Sequence, residues 1–161
     1  MEKEALVIKI VVDGWNAQVI ALNKVLGELT DAQLMQEIAP GKNRGIYIVG
    51  HLAVVHDRML PLLGLGEPSY SELNAAFLGT PDKAVAEIPT AESLRAKLIA
   101  VNELLSYHFA KMPSHQWLEK HNSVSAEDFI KEPHRNKLNV LISRTNHLAN
   151  HIGQLLLLKS N

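Results

Sequence analysis

The chain has no cysteine, which excludes disulfides, thiolate metal sites and a cysteine nucleophile, and agrees with a reducing compartment. Any thiol chemistry would need a thiol from outside. It also lacks an excess of one charge. Its 16 Lys and Arg against 17 Asp and Glu give a formal net charge of −1, so nothing is spare to neutralise a run of phosphates or an anionic leaflet. Lys131, Arg135, Lys137 and Arg144 are scattered and read as a solvated face, which makes nucleic acid a poor partner. No uninterrupted apolar run reaches the roughly 18–20 residues of a membrane span. Met1-Glu2-Lys3-Glu4 is acidic where a secretory signal would be basic. These absences lead to the expectation of a cytoplasmic protein that does not engage a membrane.

What is present is 161 residues, enough for one domain spanning 1–161 that buries about two-thirds of the surface its unfolded chain exposes. Eight histidines are the compositional oddity, and their placement carries the functional reading.

Ile8, Val11, Trp15, Val19, Leu22, Leu26 and Leu29 recur every three or four residues and predict one long amphipathic helix. Thr30-Asp31 caps a short helical turn over Ala32 to Ile38, which Ala39-Pro40-Gly41 breaks. A second helix is expected from Gly45 to Leu63, with Ile48, Leu52, Val55, His56, Met59 and Leu63 on its apolar stripe and Gly64-Leu65-Gly66 ending it. Pro68, Gly79, Pro81 and Pro89 mark a long connection with a short helix around Ser71 to Leu78. Thr90 caps a third helix carrying Leu94, Leu98, Val101, Leu105, His108 and Met112, and Pro113 stops it. Ser125-Ala126-Glu127-Asp128 offers a capped turn, and a fourth helix runs from about His134 to Lys159. On it Asn139, Ser143, Asn146 and Asn150 share one side, while Leu138, Leu141, Ile142, Leu148, Ile152 and Leu155 form the apolar arc. The pattern predicts an all-α fold, a four-helix bundle whose two long connections make crossovers.

His147 and His151 stand at i and i+4, so their imidazoles leave adjacent turns of one face and can reach a common point. Spacing alone is a weak signal, since surface helices carry such pairs. Val140 and Leu158 lie on the same helical line and argue for a half-buried setting, where imidazoles need partners. A metal ion taking one nitrogen from each would satisfy both rings. An all-histidine site suits zinc or nickel, with iron and copper also compatible. Two ligands rarely make a tight site, and the second helix offers His51 or His56 as a third. These face about 140° apart, and helical phase leaves both open. His108 reads as a core residue, with lining of the metal pocket as its alternative. His115, His121 and His134 fall in or beside loops and read as exposed. Trp15 reads as core packing, and Trp117 as packing or a subunit contact.

Gly50-His51-Leu52-Ala53, Asp57-Arg58 and Leu63-Gly64, together with His147-Leu148-Ala149-Asn150-His151-Ile152-Gly153-Gln154-Leu155, resemble the DinB-like superfamily over nearly the whole chain. The resemblance implies that a histidine early in the second helix and the two of the last helix bind a divalent metal. Carried over, these are His51, His147 and His151, which decides against His56. Relatives often have a further histidine where this chain has Asn150, so no acid-base role transfers to that position. Three imidazoles leave a coordination position open, the condition for catalysis. The resemblance implies a metal-dependent enzyme that activates a low-molecular-weight thiol for transfer to a small electrophile. Metal-assisted hydrolysis is the alternative, as is a stress-related bundle whose metal only fastens two helices. A homodimer is implied by resemblance alone. Glu92, Glu103 and Asp57 are candidate bases by residue type only, and each reads first as a solvated carboxylate.

Overall fold

The computed structural model describes residues 3–160, and its secondary structure is helical apart from two isolated bridges, Glu37 with Arg44 and Lys120 with Asn136. Met1 and Glu2, half of the acidic N-terminal segment, lie outside the described residues. The expected all-α class holds.

Helix α1 (Lys3–Glu28) buries Ile8, Trp15, Leu22, Val25 and Leu26, and Leu29 just beyond its end, on the stripe expected from the spacing. Thr30 then forms a full capping box with Gln33, starting α2 (Asp31–Leu34). This turn is shorter than the predicted one, because Glu37 and Ile38 pair with the chain across the Gly41 turn instead of continuing the helix. Gly41 takes φ +73°, which glycine alone adopts freely.

The second predicted helix divides into α3 (Gly45–Asp57) and α4 (Met59–Leu63) at Arg58. Pro61 accounts for the break, since it has no N–H to offer the carbonyl four residues back and its ring crowds that carbonyl. Gly64, at φ +71°, ends α4 as a left-handed C-cap. After a 3₁₀ turn over Ser71–Leu73 comes α5 (Asn74–Phe77), the short helix expected in the connection.

Thr90 caps α6 (Ala91–Lys111) by accepting from Ser93 N. Near its end the buried position is Phe109 and not His108, which is half-buried and meets Tyr107 edge-on. The short α7 (Ser114–Trp117) puts Trp117 into the core against Phe109, ring centroids 5.2 Å apart. Ser125 caps α8 (Ala126–Lys131), as expected. Helix α9 (Lys137–Leu156) begins three residues later than predicted because Asn136, accepting from Asn139 N at 2.9 Å, is its N-cap. It closes in a 3₁₀ turn over Leu157–Ser160. Asn139, Ser143, Asn146 and Asn150 are exposed as predicted. Ile142 is exposed too, at the edge of the apolar arc.

The long helices pack as a ring in which α1 lies on α9 and α6, and α3 lies on α6 and α9. Trp15, Leu22, Leu52, Leu94, Leu98, Leu105, Leu148 and Leu155 fill the space between them. Two segments, Lys3–Glu28 and Gly45–Leu63, are apolar and long enough by composition to cross a membrane, which corrects the reading from uninterrupted runs. Isolated polar residues break each run without removing its apolar average. Most of Gly45–Leu63 is buried as the core helix of the bundle, whereas α1 leaves Leu6, Val7, Ile10 and Ile20 exposed.

The segment between α4 and α6 is fastened along the length of α3. Asp57 accepts from Ser69 N and Tyr70 N at 2.8 and 2.9 Å. His51 Nδ1 meets Phe77 O at 2.9 Å, and Tyr47 Oη donates to Thr80 O at 2.7 Å. At the far end the Arg44 guanidinium forks onto Asp82, whose carboxylate also accepts from Arg44 N. Burial pushes the Asp82 carboxyl up, but the Arg44 hydrogen bonds outweigh it and hold it below its ordinary value. Phe77 lies so close on Gly50 that a Cβ there would stand 2.4 Å from its ring, which leaves room for glycine only.

Candidate metal centre

His51 leaves the middle of α3, and His147 and His151 leave successive turns of α9. These helices pack together, and the three side chains meet between them, each half-buried. Nε2 of His147 is 3.3 Å from Nε2 of His51 and 3.1 Å from Nε2 of His151. The ring centroids are 4.4 to 5.2 Å apart.

The outer nitrogens decide what the inner ones can do. His51 Nδ1 faces a backbone carbonyl and can only donate to it, so its proton is on Nδ1 and the Nε2 lone pair is free. His151 Nδ1 faces Gln154 Oε1 at 2.7 Å, which fixes the same tautomer. At least two lone pairs therefore converge with the third imidazole on one point, an arrangement that a cation relieves. The donor set, three imidazole nitrogens of which two are held from behind, fits a divalent metal ion. His147 Nδ1 is buried without a partner among the described residues.

Charge on the two α9 rings is disfavoured. Burial, with the neighbouring His151, His51 and Arg144, pushes His147 down from the usual 6.5 to about 4. Burial also lowers His151, against a smaller upward pull from Gln154. Neutral imidazole is the state that ligates.

The other candidates separate from this group. His56 is fully buried on α3, 4.9 Å from the Trp15 ring, and its Nδ1 lies 2.6 Å from Asn102 Oδ1. It is a core histidine, as one of its two readings had it. Asn102, buried at 1% exposure in the middle of α6, was not anticipated from sequence. His108 is on the α6 flank next to Tyr107 and outside the triad. Glu92 and Glu103 are exposed, and the Asp57 carboxylate is occupied by two backbone amides, so none of the three stands at the site. His121 is half-buried where an exposed loop residue was expected, and burial lowers it.

The triad opens on two cavities. One of about 310 Å³ is lined by His51, Val55, Arg58, Leu78, Arg144 and His147. A smaller one of about 160 Å³ touches His51 and His151 beside Asn43, Tyr47 and Ile48. Arg144, read from sequence as part of a solvated face, is instead half-buried in the wall of the larger cavity. Gln154 and Phe77 are the supports that sequence reasoning missed. Gln154 stands at i+3 from His151, a spacing that could have suggested the contact, whereas no local signal announces the Phe77 carbonyl.

The sequence profile of the DinB superfamily matches residues 20–155, most of the chain and all three histidines. The protein belongs to the DinB superfamily, an all-α fold, and carries a three-histidine cluster that could hold a metal ion. No curated protein matches it closely enough to be called a relative.

Proposed function

We propose that His51, His147 and His151 are the ligands of a divalent metal, zinc or nickel, and that the chain is an enzyme activating a low-molecular-weight thiol for transfer to a small electrophile. A metal ion held there would supply Lewis acidity, lowering the pKa of a thiol or polarising an electrophile. The protein's own part is to keep the two α9 imidazoles neutral, to aim all three inward, and to leave their meeting point reachable from a cavity. The observation that carries the reading is the larger cavity, which ends on His51 and His147 and offers room for a small molecule. A metal that only fastened helices together would need no such access. With no cysteine in the chain, the sulfur comes from the co-substrate.

In an addition, the thiol sulfur bonds to the electrophilic carbon and the thiol proton ends on the neighbouring carbon. In a substitution, that proton leaves with the displaced group. The reading includes a homodimer, for which the exposed apolar residues of α1 offer a surface.

The test is turnover of metal-loaded protein with glutathione, bacillithiol, mycothiol or coenzyme A against a panel of electrophiles. Conjugation or isomerisation above background, lost in His147→Ala, is the expected result. Hydrolysis in thiol-free buffer, or no reaction with any thiol, overturns it.

A further inference from the structure

Arg58 and Arg144 face the same cavity as His51 and His147 of the triad. On α9, Arg144, His147 and His151 follow at i, i+3 and i+7. Opposite, His51, Val55 and Arg58 follow at i, i+4 and i+7 along α3 and its C-cap, the same steps in reverse order. Each helix therefore presents one line with histidine at one end of the cavity and arginine at the other. Two further cavities, of about 410 and 330 Å³, also have Arg144 in their walls, together with Leu62 and Ser123. Through these shared walls they extend the cleft away from the triad.

Neither arginine makes a salt bridge or a side-chain hydrogen bond among the described residues. Of the nine ion pairs among the described residues, six engage lysines and the other three engage Arg44, Arg95 and Arg135. The nearest acid in sequence, Asp57, is turned away onto Ser69 N and Tyr70 N. Arg144 Nε is buried with no acceptor. Two guanidiniums close enough to repel one another, one of them partly desolvated, are costly unless an anion joins them. Arginine is the side chain best shaped for that purpose, because its planar fork matches an oxyanion with two parallel hydrogen bonds.

We propose that Arg58 and Arg144 form a subsite for the oxyanion of a small-molecule substrate, holding it in the cleft with its reactive end at the histidine triad. Val55 and Leu78 flank the path between the two ends and suit a short carbon skeleton. The inference deepens the thiol-transfer reading and rests on it for direction, since it places a charged group on one of the two reactants. The oxyanion can belong to the thiol or to the electrophile, and binding probes of each kind distinguish them.

The experiment is titration calorimetry of the metal-loaded and metal-free protein with cinnamate, its neutral counterpart cinnamamide, and S-methylglutathione. Neither anion has a free thiol, so the outcome stands apart from the fate of the thiol reaction. At least one anion binds in both metal states, and Arg144→Gln and Arg58→Gln each weaken it about tenfold or more. Melting temperature and metal content stay at wild-type values in both variants. Arg58, exposed at the junction of α3 and α4, carries the test should Arg144→Gln fold poorly. Loss confined to cinnamate assigns the oxyanion to the electrophile, and loss confined to S-methylglutathione assigns it to the thiol. Three results overturn the subsite: binding of neither anion to the wild-type protein, cinnamamide binding as well as cinnamate where cinnamate is the ligand, or unchanged binding in both arginine variants.

Discussion

His51 and His56 stand five residues apart on one helix, and the bundle gives them opposite surroundings. His56 points into the core, where Asn102 occupies one nitrogen and Trp15 covers the ring. His51 points to the seam between α3 and α9, where a carbonyl holds its outer nitrogen and two imidazoles face the inner one. Residue type and helix are shared, so the difference comes from what the neighbouring helix supplies. A core asparagine makes a structural histidine, and an H-x-x-x-H pair makes a candidate ligand. Burial keeps His56 neutral with no further use for it, whereas only the seam leaves lone pairs converging on a point reachable from a cavity.

The comparison breaks most visibly on paired alanine substitutions. His147→Ala should weaken metal binding by more than about a hundredfold, beyond the range seen when only a supporting residue is lost. His56→Ala should keep one equivalent of metal while lowering unfolding free energy by on the order of 2–4 kcal/mol, through a core cavity and an orphaned Asn102. Competition with a chromophoric chelator and urea titration read the two. A His56→Ala protein that loses its metal would put that residue in the ligand set after all.

A smaller effect is expected behind the triad. Gln154→Ala frees the His151 ring to rotate or change tautomer and should cost about 10–100-fold in metal affinity with little change in melting temperature. An unchanged affinity would mean that α9 alone orients His151.

The smallest effect is a slope. His56 titrates near 6.5 when unfolded and at about 3 in the fold, because burial penalises its charged form. Its folded pKa is depressed, so unfolding takes up a proton once pH falls below 6.5. The stability that His56 contributes by staying neutral is complete above that value and is lost as pH falls towards about 3. Metal-free protein should melt progressively lower over that window, and less steeply in His56→Leu. A parallel slope in the variant would assign the acid sensitivity to other groups.

Much of this architecture was legible because helices announce themselves locally. The α1 stripe, the Thr30, Thr90 and Ser125 caps, and the Gly64 stop all act within a few residues of where they are read. Errors fell where a distant or competing partner decides. Pro61 broke a helix whose apolar stripe runs on, and Asn136 took the cap from a loop that periodicity could not bound. The triad itself was only half legible. His147 and His151 share a helix face, but His51 and His56 could be told apart only by family resemblance until Asn102 and the α9 seam were in view. Arg144 was misread for the same reason, since its exposure depends on α3 lying across from it.

The fastening of residues 69–82 along α3 turns a loop into a ruler. Its anchor points pair Asp57 with Ser69 and Tyr70, His51 with Phe77, Tyr47 with Thr80 and Arg44 with Asp82. Both ends are fixed, so the number of residues between them sets which carbonyl arrives opposite His51. Because Ser71–Leu73 and Asn74–Phe77 are helical, one residue more or fewer there would turn that carbonyl by about 100° and move it by about 1.5–2 Å, out of hydrogen-bonding alignment with His51. The third ring would then lose its tautomer lock with every histidine still in place. Loop length, a property no residue motif records, is thereby part of what specifies the metal centre.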